Sequence, residues 1–380
     1  MITAIVNANL LHAYRDGNSQ VHEGYAVIVV DGYIRDLVPF DELPADVEHF
    51  IDLGGAYLAP GFFDTQVNGG GGVLFNDSPS IEGLKVISGA HKQFGTTAML
   101  PTLISDDFSK MRQAIAAVDM AITAGVPGIV GIHLEGPFLS PYRCGVHNAE
   151  KFKKIDEDAF AILTSLKNGK TLVTLAPEQT DAQVIRRLTD AGVIVAAGHT
   201  AATYDQTREA LSHGLSSFTH LFNAMTPMTS REPGVVGAAL ESKSSWCGLI
   251  VDGHHVSPVT LKVAIAAKEN GKMILVTDAM PTVGAQDKSF FLNGERIHAI
   301  NGRCATAENT LAGSDLDMIT AVKNTVEMLD IPLYEATKMA SQYPADMMGL
   351  GHVVGKIAPG YRADFVAFDQ AFNLIDLALV

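Results

Sequence analysis

The feature that most restricts the fold of this chain is a regular alternation of short apolar segments with helical segments. Eight segments have the length and the residue types of β-strands, and amphipathic or alanine-rich stretches lie between most of them. The strands are apolar almost throughout, as expected of parallel strands covered on both faces. This pattern predicts an α/β fold, a (β/α)8 TIM-like barrel, with a doubly wound open sheet as the alternative. The predicted strands are residues 61–66, 96–100, 129–134, 171–176, 193–198, 217–221, 247–251 and 273–277.

The two ends of the chain follow a different pattern. The first part consists of β-rich segments and tight turns, among them a hairpin signal at Asp31-Gly32, and shows no helical period. Residues 363–368 again have the composition of a strand. We therefore predict a small β-sandwich domain built from both chain ends. The predicted boundaries are 1–58 and 356–380 for this domain and 59–355 for the barrel.

Helix ends are marked by capping residues. Ser78-Pro79 predicts the N-cap and first turn of one helix, and Asp107 lies in the segment that opens the next. Beyond the eighth strand, two further helices are predicted near residues 315–329 and 332–348.

Charge and cysteine content limit the partners and the compartment. The chain has 27 basic and 42 acidic residues, a net charge of −15, and no segregated basic patch, which argues against a nucleic-acid partner. Its three cysteines lack any CxxC spacing, so neither a disulfide framework nor a zinc knuckle is predicted. No apolar run approaches the roughly 18 residues that span a bilayer, and the N-terminus lacks the basic region of a signal peptide. We expect a cytoplasmic location and no membrane partner.

Ionisable side chains follow the C-terminal ends of several predicted strands. Glu135 follows the third strand, His199 the fifth and Asp278 the eighth, while His220 lies in the sixth. In a TIM barrel these ends meet on one rim, where the active sites of such enzymes lie. Two imidazoles and a carboxylate with an open coordination position suit a hydrolytic metal such as zinc. Each residue alone would more often be structural, so the prediction depends on their joint occurrence.

Three nearby features are ambiguous in the sequence. His133 precedes Glu135 by two residues, so both side chains share one face of the strand, and His133 is either a ligand or a structural residue. His254 and His255 are neighbours on an extended segment, so only one is expected to enter the site. The glycine-rich segment 68–72 lacks both the GxGxxG and the Walker pattern, and no nucleotide site is predicted there.

Several of these segments carry a more specific resemblance. The chain resembles the N-acetylglucosamine-6-phosphate deacetylases of the amidohydrolase superfamily over essentially its whole length. The segments that carry the resemblance are 60–69 (PGFFDTQVNG), 133–137 (HLEGP), 198–200 (GHT), 219–228 (THLFNAMTPM), 231–234 (REPG) and 277–279 (TDA).

The resemblance implies roles for individual residues. Glu135, His199 and His220 would bind the metal. Asp278 would be the general acid and base, and His147 would contact the acetamido carbonyl of the substrate as part of the catalytic machinery. The implied substrate contacts are Gly136, His147, Asn223, Ala224, Arg231 and His255.

The resemblance also implies an activity, a cofactor and a partner. The expected reaction is hydrolysis of the acetamido group of N-acetylglucosamine 6-phosphate to glucosamine 6-phosphate and acetate, a step of amino-sugar catabolism. The expected cofactor is one divalent metal ion per subunit, Zn²⁺ first, with Fe²⁺, Co²⁺ and Mn²⁺ as alternatives. A homodimer is expected, with Arg231 acting either in its own subunit or across the interface.

One departure from the wider superfamily bears on the number of metal ions. Many amidohydrolases carry His-x-His after the first strand, which helps to hold a second metal. Here those positions are Gln66 and Asn68, whose amides are weak ligands for transition metals. The fourth strand is followed by Glu178, with no lysine there that carboxylation could convert into a bridging ligand. We therefore predict a single tightly held ion.

Two alternatives to the expected activity are open. The first is the galactosamine epimer of the substrate, which differs by the orientation of one hydroxyl group. The second is a non-catalytic scaffold that uses the amidohydrolase barrel as a binding module. A scaffold of that kind would have lost its metal ligands, whereas Glu135, His199, His220 and Asp278 are all present.

Overall fold

The computed structural model describes residues 1–15 and 20–377. Strands of the first part are β1 (Ile2–Val6), β2 (Asn9–Leu10), β3 (Ala13–Tyr14), β4 (Gln20–Val21), β5 (Tyr25–Val30), β6 (Tyr33–Pro39), β7 (His49–Asp52), β8 (Tyr57–Pro60), β9 (Phe62–Val67), β10 (Gly69–Gly70), β11 (Val73–Leu74) and β12 (Thr96–Ile104). The remaining strands are β13 (Gly131–Glu135), β14 (Lys170–Leu175), β15 (Ile194–Ala197), β16 (Ser217–Phe218), β17 (Trp246–Leu249), β18 (Met273–Leu275), β19 (Ser289–Leu292), β20 (Glu295–Ile300), β21 (Arg303–Ala305), β22 (Leu311–Ser314), β23 (Phe365–Phe368) and β24 (Leu374–Ile375). The α-helices are α1 (Ile81–Lys92), α2 (Phe108–Thr123), α3 (Glu157–Leu163), α4 (Ala182–Asp190), α5 (Tyr204–Ser212), α6 (Gly234–Glu241), α7 (Pro258–Ala267), α8 (Met318–Leu329), α9 (Leu333–Ala340) and α10 (Gln342–Met347).

The central sheet is a barrel of eight parallel strands. Its order is β9-β12-β13-β14-β15-β16-β17-β18, and a parallel bridge between Val67 and Ala279 joins its two edges. Each of the eight predicted strands corresponds to one of these strands, so the predicted barrel is confirmed. The strands of the barrel are buried almost throughout, as their apolar composition requires. The strand ends that carry Glu135, His199, His220 and Asp278 therefore lie on one rim.

Helix starts follow local capping chemistry. The predicted cap at Ser78 is wrong by two residues, because α1 begins after Ser80, whose side chain accepts a hydrogen bond from the backbone N–H of Gly83 at 3.1 Å. A residue that precedes proline is disfavoured in the helical region, so Ser78 before Pro79 stays outside the helix. The second helix starts after Asp107, as predicted.

Both chain ends contribute to the small β-sandwich. One sheet has the order β6-β5-β1-β7 and the other β2-β8-β23-β24. Strand β23, near the C-terminus, pairs antiparallel with β8. The turn between β5 and β6 lies at Asp31-Gly32, as predicted, and both residues have positive φ angles of 48° and 77°.

Strands β19–β22 form a four-stranded antiparallel sheet between the eighth barrel strand and α8. This sheet was not predicted from the sequence. A sequence signal for it is present, since two Asn-Gly pairs, 293–294 and 301–302, form two of its three turns with positive φ at each residue. The strands between them are short, and side chains such as Phe291 and Ile300 are exposed, so no buried apolar run marks them.

The segment predicted as one helix over 332–348 is two helices, α9 and α10. The break lies at Ser341, whose φ and ψ of −134° and −74° are not helical. Pro344 lies in the first turn of α10. A backbone N–H has no acceptor within the helix at this position, so proline can take it without losing a hydrogen bond. Within the described residues, no helix combines the length and the apolar character needed to cross a bilayer.

Candidate metal centre and active site

Three of the expected site residues occupy an unusual backbone conformation at the rim. His199, His220 and Asp278 have φ angles of 47°, 31° and 53°, which non-glycine residues rarely adopt. Each follows directly or closely after a barrel strand, β15, β16 and β18 in turn. Left-handed residues of this kind cluster at functional sites, where surrounding contacts hold them in place.

Glu135, His199 and His220 meet at the mouth of the barrel. The Nε2 atom of His220 lies 3.0 Å from Oε1 of Glu135, and Nε2 of His199 lies 3.4 Å from the same oxygen. The donor atoms of the three side chains all lie within 4.8 Å of one another, and all three residues are buried. This is the one group of three or more candidate metal ligands within residues 1–15 and 20–377.

One hydrogen bond of His199 determines which of its two ring nitrogens has a free lone pair. Its Nδ1 lies 2.9 Å from the backbone oxygen of Arg143. Because a carbonyl only accepts, Nδ1 carries the hydrogen and Nε2 keeps the lone pair that a metal needs. His220 presents Nε2 to the same place, while its buried Nδ1 has no partner among the described residues. The chemistry of the three donors therefore fits a divalent metal ion.

The electrostatics of the cluster favour a charged Glu135. Burial alone would raise the pKa of this carboxyl, but the imidazoles of His199 and His220 beside it outweigh burial and hold its pKa well below the usual range. Burial lowers the pKa of His220, whereas its hydrogen bond to Glu135 and the charge of that carboxylate more than offset the effect and raise it. The carboxylate is thus available as an anionic ligand.

Asp278 lies beside the cluster, held by two amides. Nδ2 of Asn68 donates to Oδ1 of Asp278 at 2.6 Å, and Nε2 of Gln66 donates to the same oxygen at 3.1 Å. Burial raises the pKa of Asp278, and the negative charge of Glu135 raises it further. A buried carboxyl of raised pKa is suited to accept and return a proton.

His147 is positioned as a hydrogen-bond donor. The backbone N–H of Ser105 donates to Nδ1 of His147 at 3.3 Å, and the Ser105 hydroxyl lies 2.8 Å from the same atom. Since Nδ1 accepts, the neutral ring carries its hydrogen on Nε2, which lies 3.9 Å from Oε2 of Glu135. Burial lowers the pKa of His147 to about 3, so the ring is neutral at ordinary pH.

Both nitrogens of His133 bond to threonine hydroxyls below the cluster. Nδ1 lies 3.1 Å from Oγ1 of Thr102, and Nε2 lies 2.7 Å from Oγ1 of Thr174. Burial lowers the pKa of His133 to about 4. Neither nitrogen of the ring is free to act as a metal ligand, so the geometry supports the structural alternative that the sequence left open.

Gly136, Asn223 and Ala224 lie next to the candidate ligands. Gly136 follows Glu135 with φ of 82°, and a Cβ there would lie 2.2 Å from the Ser105 hydroxyl, so only glycine fits. Both amide groups of Asn223, backbone and side chain, donate to the carbonyl of His220 at 3.0 and 3.1 Å. Ala224 has φ of 50°, and its carbonyl accepts from the backbone of Thr200.

The two remaining expected substrate contacts are Arg231 and His255. Arg231 is exposed and, within the described part of the chain, forms no ion pair, not even with Glu232. His255 bonds through Nδ1 to Asp252 at 2.6 Å, and both side chains are largely buried. His254 is exposed and bonds to the carbonyl of Asn301, which agrees with the expectation that only one of the two neighbours turns inward. Neither Arg231 nor His255 makes a direct contact with the Glu135 cluster in the described structure.

Gln66, Asn68 and Ser105 make contacts in the site that were not predicted from the sequence. Gln66 and Asn68 were noted only as poor metal ligands, and Ser105 was not singled out. Their contacts join residues far apart in the chain, so no local pattern marks them.

Comparison with known proteins identifies the family. The sequence model of the Amidohydrolase family matches residues 57–378. The N-acetylglucosamine-6-phosphate deacetylase of Haemophilus influenzae is 34% identical over 98% of this chain and 96% of its own. The N-acetylgalactosamine-6-phosphate deacetylase of Shewanella sp. (strain ANA-3) is 42% identical over 92% and 88%. The crystal structure of N-acetylglucosamine-6-phosphate deacetylase from Pasteurella multocida aligns with a TM-score of 0.93 and 36% identity, covering 98% of this chain and 97% of that one. The family model thus matches most of the chain and the relatives match it over nearly their full lengths, so this chain belongs to the amidohydrolase family, as its motifs predicted.

Proposed function

We propose that this chain hydrolyses the acetamido group of N-acetylglucosamine 6-phosphate to glucosamine 6-phosphate and acetate. The observation that carries the proposal is the buried Glu135, His199 and His220 donor set with Asp278 beside it at the barrel rim. Relatives that are named for this activity match the chain over almost its whole length. The four side chains are those that the family resemblance assigns to metal binding and proton transfer.

The three ligands would hold one divalent ion. Carboxylate and imidazole donors suit Zn²⁺ first, and Fe²⁺, Co²⁺ and Mn²⁺ are compatible with the same set. Bound there, such an ion would supply a Lewis acid and lower the pKa of water toward about 7. We propose a single ion, because Gln66 and Asn68 occupy the positions where a second ion would need imidazoles, and both amides already donate to carboxylates.

Two side chains would carry out the proton transfers and the charge stabilisation. Asp278 accepts a proton from the attacking water and returns one to the departing amine, which is otherwise a poor leaving group. His147 donates its Nε2–H to the acetamido oxygen as negative charge develops there. A preorganised donor of this kind contributes about 3–4 kcal/mol to transition-state stabilisation.

The sugar phosphate must be held against a net charge of −15. Arg231, exposed and without an ion-pair partner in the described structure, can form a bidentate contact with a phosphate. Asn223, Ala224 and His255 would complete the contacts to the substrate. In the proposed homodimer, Arg231 serves either its own site or that of the neighbouring subunit. We place the enzyme in the cytoplasm, where phosphorylated sugars are available.

A second candidate substrate is N-acetylgalactosamine 6-phosphate. The Shewanella relative named for that activity is 42% identical, against 34% for the Haemophilus protein named for the gluco epimer. The bond that is broken and the proposed catalytic groups are the same for both epimers. The preference therefore depends on contacts to one hydroxyl group.

The test is acetate release from both epimers at matched concentrations, before and after chelation, with metal content measured alongside. We expect release from the gluco epimer with a higher kcat/KM than from the galacto epimer, loss of activity on chelation and recovery with one equivalent of metal. A higher kcat/KM on the galacto epimer would transfer the assignment to that substrate. Metal-free protein that releases no acetate from either epimer after incubation with metal would support the scaffold alternative.

A further inference from the structure

The ends of the first and last barrel strands form a seam held by backbone contacts. The backbone N–H of Asp278 donates to the carbonyl of Gln66 at 3.0 Å, and that of Asn68 donates to the carbonyl of Ala279 at 2.9 Å. Val67 and Ala279 form the bridge that closes the barrel. The position of Asp278 is therefore fixed relative to Gln66 and Asn68 by the main chain.

The side chains of Gln66 and Asn68 add contacts of a different kind across this seam. Asn68 reaches one carboxylate, with Nδ2 2.6 Å from Oδ1 of Asp278. Gln66 reaches two, with Nε2 3.1 Å from Asp278 and 3.3 and 3.4 Å from the two oxygens of Glu135. Both amides are almost fully buried, so neither contact is weakened by solvent.

The buried Oδ1 atom of Asn68 has no hydrogen-bond partner among the described residues. An unpaired buried acceptor costs about 1–3 kcal/mol, so an amide chosen for packing alone would be a poor choice here. The donor end of the same amide makes one of the shortest side-chain contacts of the site. This arrangement indicates that the amide is present for its contact with Asp278.

We propose that Gln66 and Asn68 are positioning residues for the hydrolysis, with Asn68 acting through Asp278 alone and Gln66 acting through both Asp278 and Glu135. The inference rests on the proposed function, because it takes Asp278 as the proton-transfer group and Glu135 as a metal ligand. Beyond the proposed function, it assigns separate roles to Gln66 and Asn68, which are both poor metal ligands. An amide donor between two carboxylates offsets their mutual repulsion and holds each in one orientation.

The two contact patterns predict two different kinetic signatures. Asn68→Ala should lower kcat about 10–100-fold, the range found for partners that orient a functional group, with KM and bound metal within about twofold of the wild type. Gln66→Leu, which removes the donor but keeps the bulk, should lower kcat similarly and also weaken metal affinity about tenfold. Asn68→Asp keeps the shape but replaces the donor by a like charge, and should lose at least as much kcat as Asn68→Ala.

A matched control is available in the small domain. Asn373 donates its side-chain amide to the Asp369 carboxylate at 2.9 Å in the loop between β23 and β24, far along the chain from the site. Asn373→Ala removes the same type of contact and should leave kcat, KM and metal content unchanged. The melting temperature of each variant shows whether a loss of kcat comes from loss of the fold.

A double-mutant cycle with Asp278→Asn tests whether Asn68 acts through Asp278. If Asn68 acts through Asp278, adding Asn68→Ala to Asp278→Asn should change the residual kcat by less than about twofold. Equal losses in both backgrounds would overturn the inference, as would a kcat within twofold of the wild type for folded Asn68→Ala or Asn68→Asp. Unchanged metal affinity in Gln66→Leu would overturn the role of Gln66, and this readout needs no activity. Failure of the proposed function looks different, since the wild-type chain itself would then release no acetate.

Discussion

The Nε2 atoms of His199 and His220 lie 3.2 Å apart, and both approach Oε1 of Glu135. The bond from Nδ1 of His199 to the carbonyl of Arg143 leaves a lone pair on Nε2 of His199. If both rings were neutral with the lone pair on Nε2, two hydrogen-bond acceptors would face the anionic Oε1 of Glu135. Such an arrangement is stable only with a proton or a cation between the three atoms.

Removing one of these imidazoles should therefore remove the metal. We expect His220→Asn to reduce the metal content of dialysed protein at least tenfold, measured by elemental analysis per chain. The control is His254→Asn on the exposed loop after β17, whose ring hydrogen-bonds to the carbonyl of Asn301. Full metal content in folded His220→Asn would exclude His220 from the ligand set.

Replacing Asp278 should separate catalysis from metal binding. The carboxyl contacts Gln66 and Asn68 but none of the three proposed ligands directly. We expect Asp278→Asn to lower kcat by two to four orders of magnitude, the usual contribution of a general acid or base, while metal content stays within twofold. Acetate release and elemental analysis on the same preparation check both parts. Near-normal turnover would remove Asp278 from its role.

The barrel and the meeting of Glu135, His199 and His220 at its rim could be predicted from the sequence because their signals are local. Each barrel strand is an apolar run of its own, and Glu135 and His199 each stand beside such a run. The sheet β19–β22 was missed, because its strands are short and partly exposed and only its Asn-Gly turns mark it. A hairpin search on those two pairs would have found it.

The contacts that organise the site could not be predicted in the same way. Gln66 and Asp278 are 212 residues apart in the chain, and they meet only because the barrel closes between β9 and β18. Strand alternation placed His133 and Glu135 on one face. It could not show that both nitrogens of His133 hydrogen-bond to the hydroxyls of Thr102 and Thr174. Such pairings depend on register between strands, which no single segment encodes.

Glu178 is linked through Thr200 both to the proposed ligand His199 and to Ala224 in the segment after β16. Its carboxylate accepts hydrogen bonds from the Thr200 hydroxyl and from the backbone N–H of Ala201, the two residues that follow His199. The backbone of Thr200 in turn donates to the carbonyl of Ala224 at 3.0 Å. We expect Glu178→Ala to weaken metal affinity about tenfold and to raise KM, because partners that orient a ligand typically contribute 10–100-fold.

Metal titration and steady-state kinetics on the Glu178 variant check this prediction. Glu157→Ala is the matched control, since Glu157 pairs with Arg187 on the exposed surface and its loss should change neither quantity. If Glu178→Ala lowered only the melting temperature, the residue would have no role in organising the site.

The buried His12 should make stability depend on pH. Burial lowers the pKa of His12 to about 3, and its Nε2 bonds to the Thr337 hydroxyl. In the unfolded chain this residue binds a proton below about pH 6.5. In the folded chain it stays neutral down to about pH 3. The free energy of unfolding therefore decreases as the pH falls from about 6.5 to about 3. At pH 5 this residue should account for about 2 kcal/mol of lost unfolding free energy.

Urea unfolding of His12→Gln at pH 7.5 and pH 5 measures this contribution. The variant should lose about 2 kcal/mol less than the wild type on acidification. His49→Gln, at an exposed position on β7, should behave like the wild type. Equal losses in the wild type and in His12→Gln would show that His12 is not the group responsible.

Arg231 should discriminate substrates by their phosphate. The side chain is exposed, has no ion-pair partner among the described residues and lies on the segment just before α6, so its guanidinium is free to bind an anion. A charge-assisted contact contributes about 1.5–3 kcal/mol, so Arg231→Ala should raise KM for the phosphorylated sugar about 10–100-fold and leave kcat/KM for unphosphorylated N-acetylglucosamine within twofold. Arg186→Ala, which removes an exposed arginine bonded to the carbonyl of Ser212, should change neither value. An equal loss on both sugars would mean that Arg231 supports the fold of its loop and does not bind phosphate.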